Sequence, residues 1–222
     1  MTGMQPATPG ITFRADMSGW FDLGSVDPDH GRIQGQAART RLELRITVTI
    51  PDVRVFMGEP EHRGRLDATI TFLPLGRDLR STAGTFNLLA PTSSLDCRIT
   101  TFECAFEARG TRYYLAGRTE VPAANGTDVL RDTTTVPVTL HEGAGTRAAI
   151  VGAGVLTLSA DDMARLVTSI RVTGAESLGD STLALTGFGR FFLGELWDQY
   201  AHPAGAVRRR WNTFARRLSS RR

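Results

Sequence analysis

Few residues of this chain have the types and spacing to do chemistry. Asp27-Pro28-Asp29-His30 puts two carboxylates and an imidazole within four positions, which could chelate a metal. A polar turn around Pro28 accounts for them better, and His30, His62, His141 and His202 lie far apart with no ligand spacing between them. Gly174-Ala175-Glu176-Ser177-Leu178-Gly179 has one residue too many for a Gly-x-Ser-x-Gly elbow and reads as a loop. Ala148-Ala149-Ile150-Val151-Gly152-Ala153-Gly154 looks like the start of a dinucleotide-binding turn. The third glycine would fall at Thr157, and Val155-Leu156-Thr157-Leu158 continues as strand where a helix should begin. No carboxylate pair sits in an apolar run where burial would raise a pKa for general-acid work. No cofactor, no metal and no catalytic residue is expected.

Cys97 and Cys104 fall within one predicted strand, where about 3.3 Å per residue holds them too far apart to pair. They read as free thiols of a reducing compartment. With no run of 18 apolar residues and no charged start with an apolar middle in the first ten, the expectation is a cytoplasmic protein, at most peripheral at a membrane.

The elements that must position any site are strands. Arg41-Leu42-Glu43-Leu44-Arg45-Ile46-Thr47-Val48-Thr49-Ile50 places five aliphatic side chains on one face and charges or threonines on the other, the period of a half-buried antiparallel strand. Other stretches also read as β: Ile11 to Phe21, Gly64 to Leu73, Leu79 to Leu89, Cys97 to Ala108, Thr111 to Val121, Asp132 to Leu140, Arg147 to Leu158, Ser169 to Thr173 and Thr182 to Phe192. Asp22 to Ala38 is expected to be a loop, and Val53 to Met57 a continuation of the second strand after a bend. In Cys97 to Ala108 the apolar phase changes near Thr100, so a bulge is expected there. Asn125-Gly126 supplies a turn, and Pro137 should lie at an edge or bulge. Ser159-Ala160-Asp161-Asp162 has the form of a helix cap ahead of a short helix over Ala160 to Thr168; the remaining helix is expected near Phe192 to Tyr200 and in the tail. Strands alternate with turns, which excludes a doubly wound α/β fold.

At 222 residues the chain is long enough for one full-sized β domain. The reading is a flexible leader over 1–10, a single all-β domain over 11–200, an antiparallel barrel or sandwich, and a basic amphipathic tail over 201–222. All 26 basic residues are arginine. Seven of them lie from Val207 to Arg222 with no acid, leaving 19 against 23 acids elsewhere, so the body is acidic and the tail carries the positive charge. Val207, Trp211, Phe214 and Leu218 make one apolar stripe at helical spacing, the form of an interfacial helix. Arg208, Arg209, Arg210, Trp211, Phe214, Arg216, Arg217 and Leu218 are the expected membrane contacts; a solvated tail is the plainer alternative. The acidic body and the lack of any nucleic-acid-binding signature argue against a nucleic-acid partner.

Several words occur in a particular order: Phe13-x-x-x-Met17-x-Gly19-x-Phe21, Leu75-Gly76, Gly84-Thr85-Phe86-Asn87-Leu88-Leu89, Leu115-x-Gly117, Asp132-Thr133-Thr134-Thr135, Gly152-x-Gly154-x-Leu156, and Phe188-Gly189-x-Phe191-Phe192-x-x-Glu195-Leu196-Trp197. Over roughly residues 11 to 200 this order resembles the accessory β segment of large cholesterol-oxidase-like members of the glucose-methanol-choline (GMC) oxidoreductases. The resemblance implies a module working beside a flavoenzyme that acts on sterols or similar lipids. The flavin fingerprint and catalytic histidine of that family have no counterpart here.

The expected function is therefore a non-catalytic β module that binds an apolar, sterol- or lipid-like ligand or docks to a lipid-metabolising oxidoreductase, with its tail on an anionic membrane. Trp20, Phe86, Tyr113 and Tyr114 are the candidate ligand-lining residues. A small cofactor-independent isomerase or cyclase acting on a hydrophobic substrate inside the barrel is the alternative, and would need an ionisable side chain facing the interior. A purely structural interaction domain would show a well-filled core and no pocket.

Overall fold

The computed structural model describes residues 8–93, 97–122 and 134–175, together with 177, 179–182, 184 and 188. Eight antiparallel strands follow one another around a closed barrel: β1 (Gly10–Leu23), β2 (Arg41–Ile50), β3 (Arg63–Phe72), β4 (Gly76–Pro91), β5 (Cys97–Ala108), β6 (Thr111–Pro122), β7 (Thr135–Glu142) and β8 (Ala149–Thr157). β1 closes the ring. Most of β1 pairs with β2, from Ile11 opposite Ile50 to Trp20 opposite Arg41. Its second half also pairs with β8, from Ser18 opposite Thr157 to Leu23 opposite Gly152. The short β9 (Arg171–Thr173) extends the sheet along the first residues of β1.

The expected all-β barrel is what the alternation produces. Leu42, Leu44, Ile46, Val48 and Ile50 face inward, opposite Phe72, Ile70, Ala68 and Leu66 on β3 and Met17, Ala15, Phe13 and Ile11 on β1. Period two forces the intervening charges and threonines outward.

Helix departs from expectation. Asp22 to Ala38 is not all loop, because α1 spans Pro28–Ala38 with Asp27 as its N-cap, accepting from the His30 N–H at 2.9 Å. The apparent chelating cluster is thus a helix start, with Pro28 in the first turn where it lacks only an N–H that needs no partner. Val53 to Met57 does not continue β2 either. Asp52 caps α2 (Val53–Gly58) by accepting from the N–H groups of Arg54 and Val55, and Val53 and Phe56 turn into the core. The helix expected after Ser159 is α3 (Ala160–Ser169), capped by the Ser159 hydroxyl on the Asp162 N–H. The strand expected over 182 to 192 is helical at residues 182, 184 and 188. The Asn125-Gly126 turn, the helix near Phe192 to Tyr200 and the tail lie outside the described residues. No helix among the described residues is long and apolar enough to cross a membrane.

The phase change near Thr100 is resolved on the neighbouring strand. β5 pairs with β6 without a break. The register shift lies in β4 between Asn87 and Ala90, where two residues oppose Thr100 alone, and the Thr100 hydroxyl accepts from the Leu89 N–H. Leu89 sits at φ 49°, and the kink lets Leu88 and Leu89 both be buried.

Candidate binding groove on the outer face

An eight-stranded barrel has an interior about wide enough for its own side chains. Here it is filled by them. Phe21 meets Phe72 edge-on at 5.1 Å, Phe13 meets Phe86 edge-on at 6.0 Å, and Phe188 covers the aromatic end, lying 6.2 Å from Phe13 and 6.1 Å from Phe56. Gly117 has no side chain because the Phe102 ring occupies the space, a Cβ there standing 2.3 Å from the ring. The buried polar side chains among the described residues are Ser25, His62, Thr119 and His141, so no carboxylate or guanidinium is buried. Cys104 does face the interior, and burial pushes its thiol up to about 12, which leaves it protonated and inert.

Polar groups gather instead on the outside of β5, β6 and β7. The cause begins with Pro137. β6 and β7 pair from Tyr113 opposite Glu142 to Gly117 opposite Val138, and the ladder stops one residue short of the proline. Pro137 has no N–H to give. In a closed barrel it has no free edge to occupy, and the β6–β7 ladder ends beside it. Beyond that point a side-chain bond, Thr119 hydroxyl to Thr135 carbonyl at 3.4 Å, spans the gap. The result is a groove of about 850 Å³, floored by Ala116 and Gly117, with Glu103, Arg118, Pro137, Thr139 and His141 on its walls and Pro28 of α1 at its rim.

Register places these side chains. Glu103 of β5, Ala116 of β6 and Thr139 of β7 stand in one row, and Tyr114 and His141 in the next. The small Ala116 leaves the row open at its centre. Tyr114 reaches across to donate its hydroxyl to Glu103 Oε2. Burial first, then the bond to Glu103 and its negative charge, hold the Tyr114 phenol above its ordinary range, so it stays a donor. His141 is 4 % exposed. Its Nδ1–H donates to the Ala148 carbonyl at 2.9 Å, which fixes the tautomer and lets Nε2 accept from the Thr139 hydroxyl at 3.0 Å. Arg118 is paired with Glu120 at 2.9 Å.

The four candidate ligand-lining residues do not share a site. Phe86 lies inside against Phe13, and Tyr113 stacks on Phe106 at 5.7 Å toward one end of the interior. Trp20 is on the outer face with the Arg41 guanidinium 5.8 Å from its ring centre, and Tyr114 is on the outer face of β6. The expected membrane contacts from Arg208 to Leu218 lie outside the described residues. Gly152 and Gly154 stand within β8, opposite Leu23 and Phe21 of β1, with no helix start for a pyrophosphate.

Two serine clusters are structural. Ser177 caps the backbone N–H of Asp180. Ser25 gives its proton to Asp22 at 2.7 Å and stands 3.4 Å from His30 Nδ1, an order in which the carboxylate, not the imidazole, takes the hydroxyl proton, the reverse of an activated nucleophile. No group of three or more acidic, histidine or cysteine side chains suited to a metal occurs among the described residues. A second, smaller cavity of about 300 Å³ at the α2 end is lined by Met57, Glu59, His62, Leu89 and Arg98.

The groove residues were hidden in the sequence because each is an ordinary outward-facing strand position. Pro137 inside a β-rich run was the one local signal. No protein-family model, no curated protein and no solved structure matches the chain.

Proposed function

We propose that the protein is a non-catalytic barrel module that makes its contacts from outside, with the groove over β5 to β7 as its ligand or partner site and the basic tail as its contact with anionic membrane. What carries the reading is the filled interior with no buried carboxylate or guanidinium among the described residues. A sterol-sized ligand would have to displace the packed rings of Phe13, Phe86 and Phe102, and among the described residues no carboxylate or guanidinium is buried there to serve an enzyme working inside. The groove offers hydrogen-bonding groups and a volume in the range of small-ligand sites. The ordered words that resemble the GMC accessory segment supply a lipid-metabolising flavoenzyme as the partner class for docking.

Titration of the full chain with a fluorescent sterol and a fluorescent fatty acid tests this. No saturable binding of either is the expected result. Saturable binding of one of them would return the ligand to the interior and overturn the proposal.

A further inference from the structure

Among the described residues, Glu103 is the groove charge without an ion-pair partner. Arg118 and Glu120 neutralise each other. His141 donates its Nδ1–H to the Ala148 carbonyl, and its Nε2 faces the Thr139 hydroxyl. Among the described residues no arginine or histidine comes within ion-pair distance of Glu103. Its Oε2 accepts a hydrogen bond from the Tyr114 hydroxyl, which orients the carboxylate without cancelling its charge, and its Oε1 has no partner among the described residues. The carboxylate is half-buried, so it has given up part of its hydration. Across the row, two positions away, Thr139 presents a hydroxyl whose lone pairs can accept a donor.

We infer that the groove recognises an ammonium group: Glu103 takes its charge, and Thr139 takes a second N–H or a neighbouring hydroxyl. The inference rests on the reading of the groove as the contact site and adds the chemistry of what enters it. A small organic ammonium and a lysine side chain of a partner protein present the same group. An anion is disfavoured, because the cation on the wall is already paired and the free charge is negative. The floor at Ala116 and Gly117 carries no large side chain to block the methylene stem of either ligand.

Backbone amide shifts of the isotope-labelled full chain, titrated at neutral pH with ethanolammonium and with Nα-acetyl-lysine N-methylamide, test the inference, with acetate and ethylene glycol as controls. Both ammonium probes are expected to move the amides of Ala116, Gly117 and Thr139 saturably, and Glu103→Gln to weaken them roughly tenfold or more. Ethanolammonium alone would assign a small molecule, and both together would admit a protein lysine. Tyr114→Phe keeps the carboxylate and should keep the binding, whereas a merely structural Glu103–Tyr114 pair would lose it in both variants and overturn the inference. Groove shifts with acetate or ethylene glycol but not with the ammonium probes would overturn the ligand class and leave the groove. No groove shift with any probe would remove both.

Discussion

Gly31 of α1 lies directly on the Ala153 carbonyl of β8: a Cβ added at Gly31 would stand 2.1 Å from that oxygen. One turn on, Gly35 presses equally closely on β1, where a Cβ would stand 2.5 Å from the Phe21 nitrogen. Both glycines are buried, and Thr40 ties the end of the helix to β1 through its hydroxyl on the Phe21 carbonyl at 2.7 Å. The two glycines make a seat by which a helix meets the outside of the barrel at backbone distance.

The seat gives a prediction whose sign separates two effects. Alanine in place of glycine stabilises an isolated helix by about 1 kcal/mol. Gly31→Ala should nevertheless destabilise this protein, by about 1 to 3 kcal/mol, because the added methyl forces α1 off β8. Denaturant unfolding measures it, and a stabilised variant would mean the helix stands off the barrel.

The two cysteines should react differently. Cys104 is fully buried with its thiol pushed up to about 12, while Cys97 is only partly buried. In the native protein at pH 8 a thiol reagent should modify Cys97 and leave Cys104 until the barrel unfolds, so the rate at Cys104 reports opening of the core. Equal rates at both would show the interior to be open to solvent.

Asp52 gives a pH dependence. The N–H groups of Val55 and Arg54 bond its carboxylate and hold its pKa below the ordinary value, with slight burial opposing. A depressed carboxylate contributes stability that is present above its unfolded pKa of about 3.9 and lost as pH falls through the folded one. Asp52→Ala should cost about 1 kcal/mol at neutral pH through loss of the α2 cap. Asp52→Asn should retain most of the cap and flatten the stability profile below pH 4. A wild-type profile as flat as that of Asp52→Asn would count against the cap.

The tail prediction follows from charge and from the apolar stripe that includes Trp211. Removing residues 207–222 deletes seven arginines, each worth about 1 kcal/mol near an anionic surface before screening. Full-length protein should sediment with anionic vesicles and the truncated form should not; added salt and Trp211→Ala should each weaken the binding. Equal sedimentation of both forms would make the tail a solvated extension.

What the sequence disclosed and what it withheld have physical reasons. Leu42 to Ile50 was legible because a strand with one wet face must alternate. α1 was not, because Gly31 and Gly35 were chosen by contact with the barrel backbone and so carry the signature of a loop. The β4 kink announced itself on the wrong strand, through the phase of its partner around Thr100. The groove could not be read at all as a set: Glu103, Tyr114, Thr139 and His141 come from three strands and become neighbours only through register. The single clue was Pro137, expected at an edge or bulge and found where the β6–β7 ladder ends inside a closed ring.

The ring has one seam. From β1 to β8 each strand finds its partner next in the chain, so most of the barrel can form by local pairing at low loop-closure cost. Only the pairing of Ser18 with Thr157 and its neighbours joins the two ends of the ring. Assembly should therefore proceed as a curling sheet whose rate is governed by the meeting of β1 and β8, and the same joint should be the first to open. Amide hydrogens across that joint would exchange sooner than those between β2 and β3, giving the barrel a hinge line in time although it has none in shape.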